Sequence, residues 1–98
     1  MLIPDFLKDQ TVMFVEDDDF AREELAKLLN KLFKKVILAS NGLEGLEKYG
    51  RSKITNEKID LILSDINMPI MNGLEMLEKI REIDSLVPLI FITARSES

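Results

Sequence analysis

The sequence predicts an α/β fold, a doubly wound parallel sheet in the order β-α-β-α-β-α-β, and three observations carry that prediction. Four short runs are apolar without alternation: Thr11 to Val15, Val36 to Ala39, the run from Ile59 that ends at Asp65, and Pro88 to Ala94. Continuous apolar runs bounded by turn residues are the pattern of strands covered on both faces. Between the runs lie three stretches with apolar residues at helical spacing, each opened by Asp or Asn. Strands that alternate with helices wind into a parallel sheet through right-handed crossovers.

Residues 1–10 form an N-terminal arm, a loop or one helical turn, because Pro4 and Asp5 interrupt any longer element. Residues 11–98 form the domain. Its first strand, Thr11 to Val15, is followed by Glu16, Asp17, Asp18 and Asp19. The next helix turns Ala21, Leu25, Leu28, Leu29 and Leu32 to one face. Asp18 or Asp19 caps it and suits the positive end of its dipole, while Lys31, Lys34 and Lys35 suit the other end. Val36 to Ala39 reads as a second buried strand. Asn41 and Glu44 have capping-box spacing and start a helix expected to end near Gly50, with residues 51–58 as a polar loop. The third strand ends at Asp65 and breaks into a loop through Pro69. Asn72 then caps a helix whose inner face is Met76, Leu77, Ile80 and Ile83. The likeness of Asn41–Lys48 to Asn72–Lys79 is that of two helices with the same cap, since nothing around them repeats.

At 98 residues the chain makes one domain with an adequate core. A formal charge of −5 argues against nonspecific binding to nucleic acid or to an anionic membrane. With neither Cys nor His, disulfides, thiol nucleophiles, the usual zinc sites and Ser-His triads are all excluded. No stretch reads as a signal peptide or a membrane span, so the expected location is the cytoplasm.

In an open parallel sheet, ligands sit outside the carboxyl ends of the strands. Strands one, three and four end in Glu16 and Asp17, in Asp65, and in Thr93. The plain alternative for Asp65 is a helix cap, but Asn72, seven residues on, is better placed for that. For the acidic run the alternative is a solvated turn, which suits Asp18 and Asp19 better than Glu16 and Asp17. Three converging carboxylates repel, and one pKa rises unless a cation neutralises them. Oxygen ligands alone favour a hard cation, and a few protein ligands with open positions favour Mg²⁺. A carboxylate so placed can attack phosphorus and form an acyl phosphate.

These residues resemble the receiver domain of two-component response regulators, from about Thr11 to Ala94. Val15-Glu16-Asp17-Asp18 is similar to the acidic pair closing that family's first strand. Asp65-Ile66-Asn67-Met68-Pro69-Ile70-Met71-Asn72-Gly73 is similar to its D-x-x-M-P-x-M-[DN]-G phosphorylation loop, and Ile92-Thr93-Ala94 to the end of its fourth strand. The resemblance implies a flavodoxin-like fold and a signalling domain rather than an enzyme. It implies that Asp65 takes a phosphoryl group from a sensor histidine kinase or phosphotransfer protein. It further implies Mg²⁺ held by Glu16 and/or Asp17, by Asp65 and by the backbone carbonyl of Asn67. Thr93 would bind the phosphoryl group and Ala94 would leave room for it.

The family continues with a helix, a fifth strand and a last helix, for which roughly 30 further residues are needed. Its phosphate-pairing lysine and switch aromatic lie on that fifth strand, and no residue here matches either; Lys53 and Lys58 do not. The expectation is a receiver shortened at its C-terminal side to four strands and three helices. Its fourth strand, Leu89 to Ile92, would then be an apolar edge able to pair with another copy. Two rival classes differ in kind. One is a receiver-like interaction module that is never phosphorylated. The other, a carboxylate-nucleophile phosphatase, is disfavoured because its D-x-D belongs on the first strand, whereas D-x-N here follows the third.

Overall fold

A computed structural model describes residues 5–92. After a short 3-10 helix, Asp5–Asp9, come β1 (Thr11–Val15), α1 (Asp19–Leu32), β2 (Lys35–Ala39), α2 (Gly42–Thr55), β3 (Leu61–Ser64), α3 (Gly73–Ile83) and β4 (Leu89–Phe91). The strands are parallel and form one sheet in the order β2-β1-β3-β4. The expected alternation and strand direction both hold. The 3-10 helix is the single helical turn of the arm.

Alternate residues of β1 feed two separate cores, as the strand's twofold period requires. Met13 and Val15 join Ile62, Tyr49 of α2, and Met76 and Ile80 of α3 on one face. Val12 and Phe14 join Leu63 and Leu29 of α1 on the other. Among the described residues, two helices thus cover one face and one helix covers the other. All of β1 is buried, in keeping with its central place. Burying a side chain such as Ile62 or Ile80 stabilises the fold by about 1.5–3 kcal/mol.

Several boundaries and faces depart from the sequence reading, each for a packing reason. α2 does not stop near Gly50 but runs to Thr55, because Tyr49 and Ser52 beyond its midpoint are buried. Gly50 faces open space, so it costs the helix only its intrinsic propensity. Asn56, in the left-handed region at φ 63°, supplies the stop. β2 is not a buried strand: it is an edge, and only Ala39 is fully buried. β3 begins at Leu61 because Asp60 turns its carboxylate to the Thr11 N–H at 2.8 Å, while Ile59 packs into the core. On α1, Ala26 and Leu29 form the buried line, and Leu28 is 51% exposed beside the half of the sheet that α1 does not reach. On α3, Met76 and Ile80 are buried and Ile83 is 48% exposed, one turn past the core.

Helix starts follow the sequence closely. Asp18 Oδ2 accepts from the Ala21 N–H at 2.7 Å, and so Asp18 rather than Asp19 caps α1. Asn72 and Glu75 form a complete capping box on α3, with bonds of 2.8 and 2.9 Å. On α2 the box is shifted by one residue: Asn41 accepts from Glu44, but Glu44 Oε1 reaches the Ser40 N–H.

Candidate functional site

Strand register assembles the site. Val15 lies opposite Ser64 of β3 and Ala39 of β2, so the residues that follow them, Glu16 and Asp65, leave neighbouring strands at the same height. Parallel neighbours are about 4.8 Å apart. Their last ladder bonds secure both exits: Glu16 N–H to Ala39 O and Asp65 N–H to Val15 O, each 3.0 Å. One carboxylate oxygen each from Glu16, Asp17 and Asp65 then lie within 4.8 Å of one another.

Local bonds hold the Glu16 and Asp65 side chains against the repulsion among these carboxylates. Glu16 is 7% exposed, and its Oε2 accepts from the Asp18 N–H at 3.0 Å. Arg22 reaches back from the second turn of α1, donating to Glu16 O at 2.7 Å and to Asp19 Oδ1 at 2.6 Å. Asp65 Oδ1 accepts from the Ile66 N–H at 2.7 Å, and its other oxygen takes no hydrogen bond from the described residues. Burial raises the Glu16 pKa, and the neighbouring charges of Asp65 and Asp17 raise it further, against the lowering effect of the Asp18 N–H. A buried carboxylate pressed by two others is an environment that a hard, oxygen-seeking cation relieves. The donor set therefore fits Mg²⁺: three acidic oxygens converge at the end of a sheet, with no nitrogen or sulfur ligand among them.

The loop from Asp65 to α3 is tied down tightly. The Gly73 N–H donates to Ile66 O at 2.8 Å and closes its base. The Met71 N–H donates to Pro69 O at 2.8 Å around Ile70, whose φ is 72°. That is a γ-turn centred on a β-branched residue in a region such residues avoid. Asn67 lies on this loop and is exposed. Gly73 cannot carry a side chain, since a Cβ there would press on Asp65 O and come within 2.8 Å of the Phe91 ring. The structure thus brings Glu16, Asp17 and Asp65 together and places Asn67 on the adjoining loop. Thr93 and Ala94 lie outside the described residues.

Sequence reasoning passed over Arg22 and Gly42. Arg22 offered one signal, a single basic residue one helical turn beyond an acidic run. Gly42 was visible only as the partner of a cap, and its contact with the loop depends on tertiary packing.

Comparison with known proteins agrees with this geometry. The family model for the response regulator receiver domain matches residues 12–98. A probable transcriptional regulator, ycf29, of Porphyra purpurea is 41% identical over 86 residues, covering 86% of this chain and 39% of the relative. The CpxR homologue of Haemophilus influenzae is 40% identical over 86 residues, covering 88% and 35%. The chain therefore spans less than two fifths of either regulator. Among solved structures, CheY in the CheX-CheY-BeF3-Mg²⁺ complex of Borrelia burgdorferi resembles it with a TM-score of 0.78 at 29% identity, covering 91% of this chain and 65% of that one. A family match over most of the sequence, on a four-stranded parallel sheet whose strand ends gather three carboxylates, shows that this chain belongs to the response regulator receiver domains of two-component signalling.

Proposed function

We propose that Asp65 is the phosphoacceptor of this receiver domain, taking a phosphoryl group from the phosphohistidine of a sensor kinase or phosphotransfer protein. The observation that carries the proposal is the convergence of Glu16, Asp17 and Asp65 at the carboxyl end of the sheet. In the transfer an Asp65 carboxylate oxygen attacks phosphorus in line. The new O–P bond forms as the N–P bond breaks, and the imidazole leaves with the electron pair. Mg²⁺, when bound, supplies positive charge to the transferring oxygens. Glu16 and/or Asp17 would hold it, together with Asp65 and the Asn67 carbonyl. That a similar receiver, CheY of Borrelia burgdorferi, was solved with Mg²⁺ and BeF3 supports this reading. Thr93 is the hydroxyl contact for the phosphoryl group and Ala94 gives it access, on the strength of the family pattern. The domain promotes its own phosphorylation and dephosphorylation and is otherwise a signalling part.

The test is the intact mass of the chain after incubation with Mg²⁺ and acetyl phosphate, beside Asp65→Asn. One phosphoryl adduct in the parent and none in the variant is the expected result. An adduct that persists in Asp65→Asn overturns the assignment.

We also propose that β4 is where a second copy pairs. Among the described residues Leu89–Phe91 is a sheet edge, and Ile90 on it is 53% exposed. The other edge is guarded: Lys48 Nζ donates to Leu38 O of β2 at 2.5 Å, and Lys35 at its start pairs with Glu57.

A further inference from the structure

We infer that Gly42 is a positioning residue for the metal-binding loop: by lacking a side chain, the first residue of α2 sets where the loop bearing Asn67 lies. The inference rests on the proposed role of that loop in holding Mg²⁺.

Gly42 is buried, and its N–H donates to Met71 O at 2.9 Å. A Cβ at this position would lie 2.9 Å from Asn72 O and closer still to Met71 O. Both neighbours are backbone atoms, so neither can swing aside as a side chain would. Gly45, one turn further along α2, is a natural control. A Cβ there would meet Met76 Sδ at 2.8 Å and Val15 Cγ2 at 3.1 Å, and the first of these belongs to a flexible side chain. A substitution at Gly45 thus strains the core, whereas one at Gly42 must move the loop.

The loop has little freedom over how it moves. Its base is closed by the Gly73 N–H bond to Ile66 O and by the close approach of Gly73 to Asp65 O. Its far side is stiffened by the γ-turn at Ile70. With the base held by Asp65 and Gly73, a push on Met71 and Asn72 is taken up between them, where the Asn67 carbonyl lies. A carbonyl ligand to Mg²⁺ tolerates little displacement, because that ion demands near-octahedral geometry at about 2.0–2.1 Å. The N-terminus of α2 and the loop therefore act as one body, joined at Gly42.

The experiment titrates Mg²⁺ alone, with no phosphodonor, into the parent, Gly42→Ala and Gly45→Ala, following backbone amide NMR signals of Asp65, Ile66 and Asn67. Gly42→Ala is expected to weaken Mg²⁺ binding roughly tenfold or more, the scale typical of groups that orient a metal ligand. Gly45→Ala is expected to keep the parent's affinity within about twofold while losing thermal stability. A folded Gly42→Ala with the parent's affinity overturns the inference and leaves the metal site standing. A parent that binds no Mg²⁺ overturns the metal site and the inference with it. Should Gly42→Ala fail to fold, amide hydrogen exchange in the parent decides the matter. Mg²⁺ should raise the protection of the Gly42 and Gly73 amides together, and unchanged protection at Gly42 refutes the coupling.

Discussion

Glu16 shows what a buried carboxylate beside two others costs its own fold. It leaves β1 buried, with Asp17 and Asp65 close by, and its pKa lies above the ordinary 4.5 because burial and those charges oppose ionisation. For a carboxylate whose folded pKa is raised, the folded state binds its proton more tightly than the unfolded state. Stability therefore falls as pH rises through the folded value, and near neutral pH the ionised group counts against the fold until a cation arrives. Glu16→Gln, whose amide oxygen can still accept from Asp18, should melt a few degrees higher than the parent at pH 7 in the presence of a chelator. The gap should close as pH approaches 4, and the variant should gain less from added Mg²⁺. Melting curves with and without Mg²⁺ across that range check both signs, and a Glu16→Gln less stable than the parent in chelator at pH 7 contradicts the account. Neither burial nor Asp65 is a neighbour of Glu16 in sequence, so the tetrad Glu16 to Asp19 disclosed the acids but not which of them was strained.

At the scale of elements, Asp84 ties α2 to α3 at the end of the sheet away from the carboxylate site. It ends α3, its N–H donating to Ile80 O at 2.8 Å, and its side chain then collects three donors. Leu86 N–H reaches Oδ1 at 2.8 Å, while the Tyr49 hydroxyl at 2.7 Å and Lys53 Nζ at 2.9 Å reach Oδ2. The Lys53 ammonium also lies 5.3 Å from the centre of the Tyr49 ring. The Leu86 N–H, then the Tyr49 hydroxyl and Lys53, hold the Asp84 carboxyl well below the ordinary 3.8. A depressed carboxylate stabilises the fold above its unfolded pKa and loses that contribution as pH falls toward the folded value. The parent should thus lose melting temperature steeply below pH 4. Asp84→Asn should be less stable at pH 7 and show a flatter acid limb. Parallel curves for the two proteins between pH 5 and 2 would remove the tie. This contact also explains why α2 outruns Gly50. Ser52 and Lys53 are reached only if the helix continues, and Asp84, the partner of Tyr49 and Lys53, stands 31 or more positions away in sequence.

For the whole molecule, the uneven distribution of helices decides which surfaces remain open. Among the described residues, α2 and α3 share one face with Met13, Val15 and Ile62, while α1 alone serves the other. α1 sits over β1 and β2, so Phe14, Leu25, Leu28 and Ile92 line an apolar groove toward β4. Under the proposed pairing at the β4 edge, this chain is expected to self-associate in concentrated solution. Sedimentation velocity over a range of concentrations should show the parent growing in mass, and Ile90→Lys, which sets a charge on that edge, should stay monomeric. A parent that is monodisperse and monomeric at every concentration refutes β4 pairing. No helix among the described residues is long and apolar enough to cross a membrane.

The sequence by itself determined the order and kind of the elements, the caps at Asn41 and Asn72, a cap at Asp18 or Asp19, and the placing of Glu16, Asp17 and Asp65 at strand ends. Those features depend on short-range periodicity, on side chains that reach their own helix's first amides, and on the rule that parallel strands send their carboxyl ends to one side. The tertiary structure alone decided that β2 is an edge, that α2 reaches Thr55, that Leu28 is left in the open and that Gly42 touches the loop. Each of these depends on which distant residue packs alongside, and hydrophobic burial is non-directional: it selects apolar side chains for the interior without naming their neighbours.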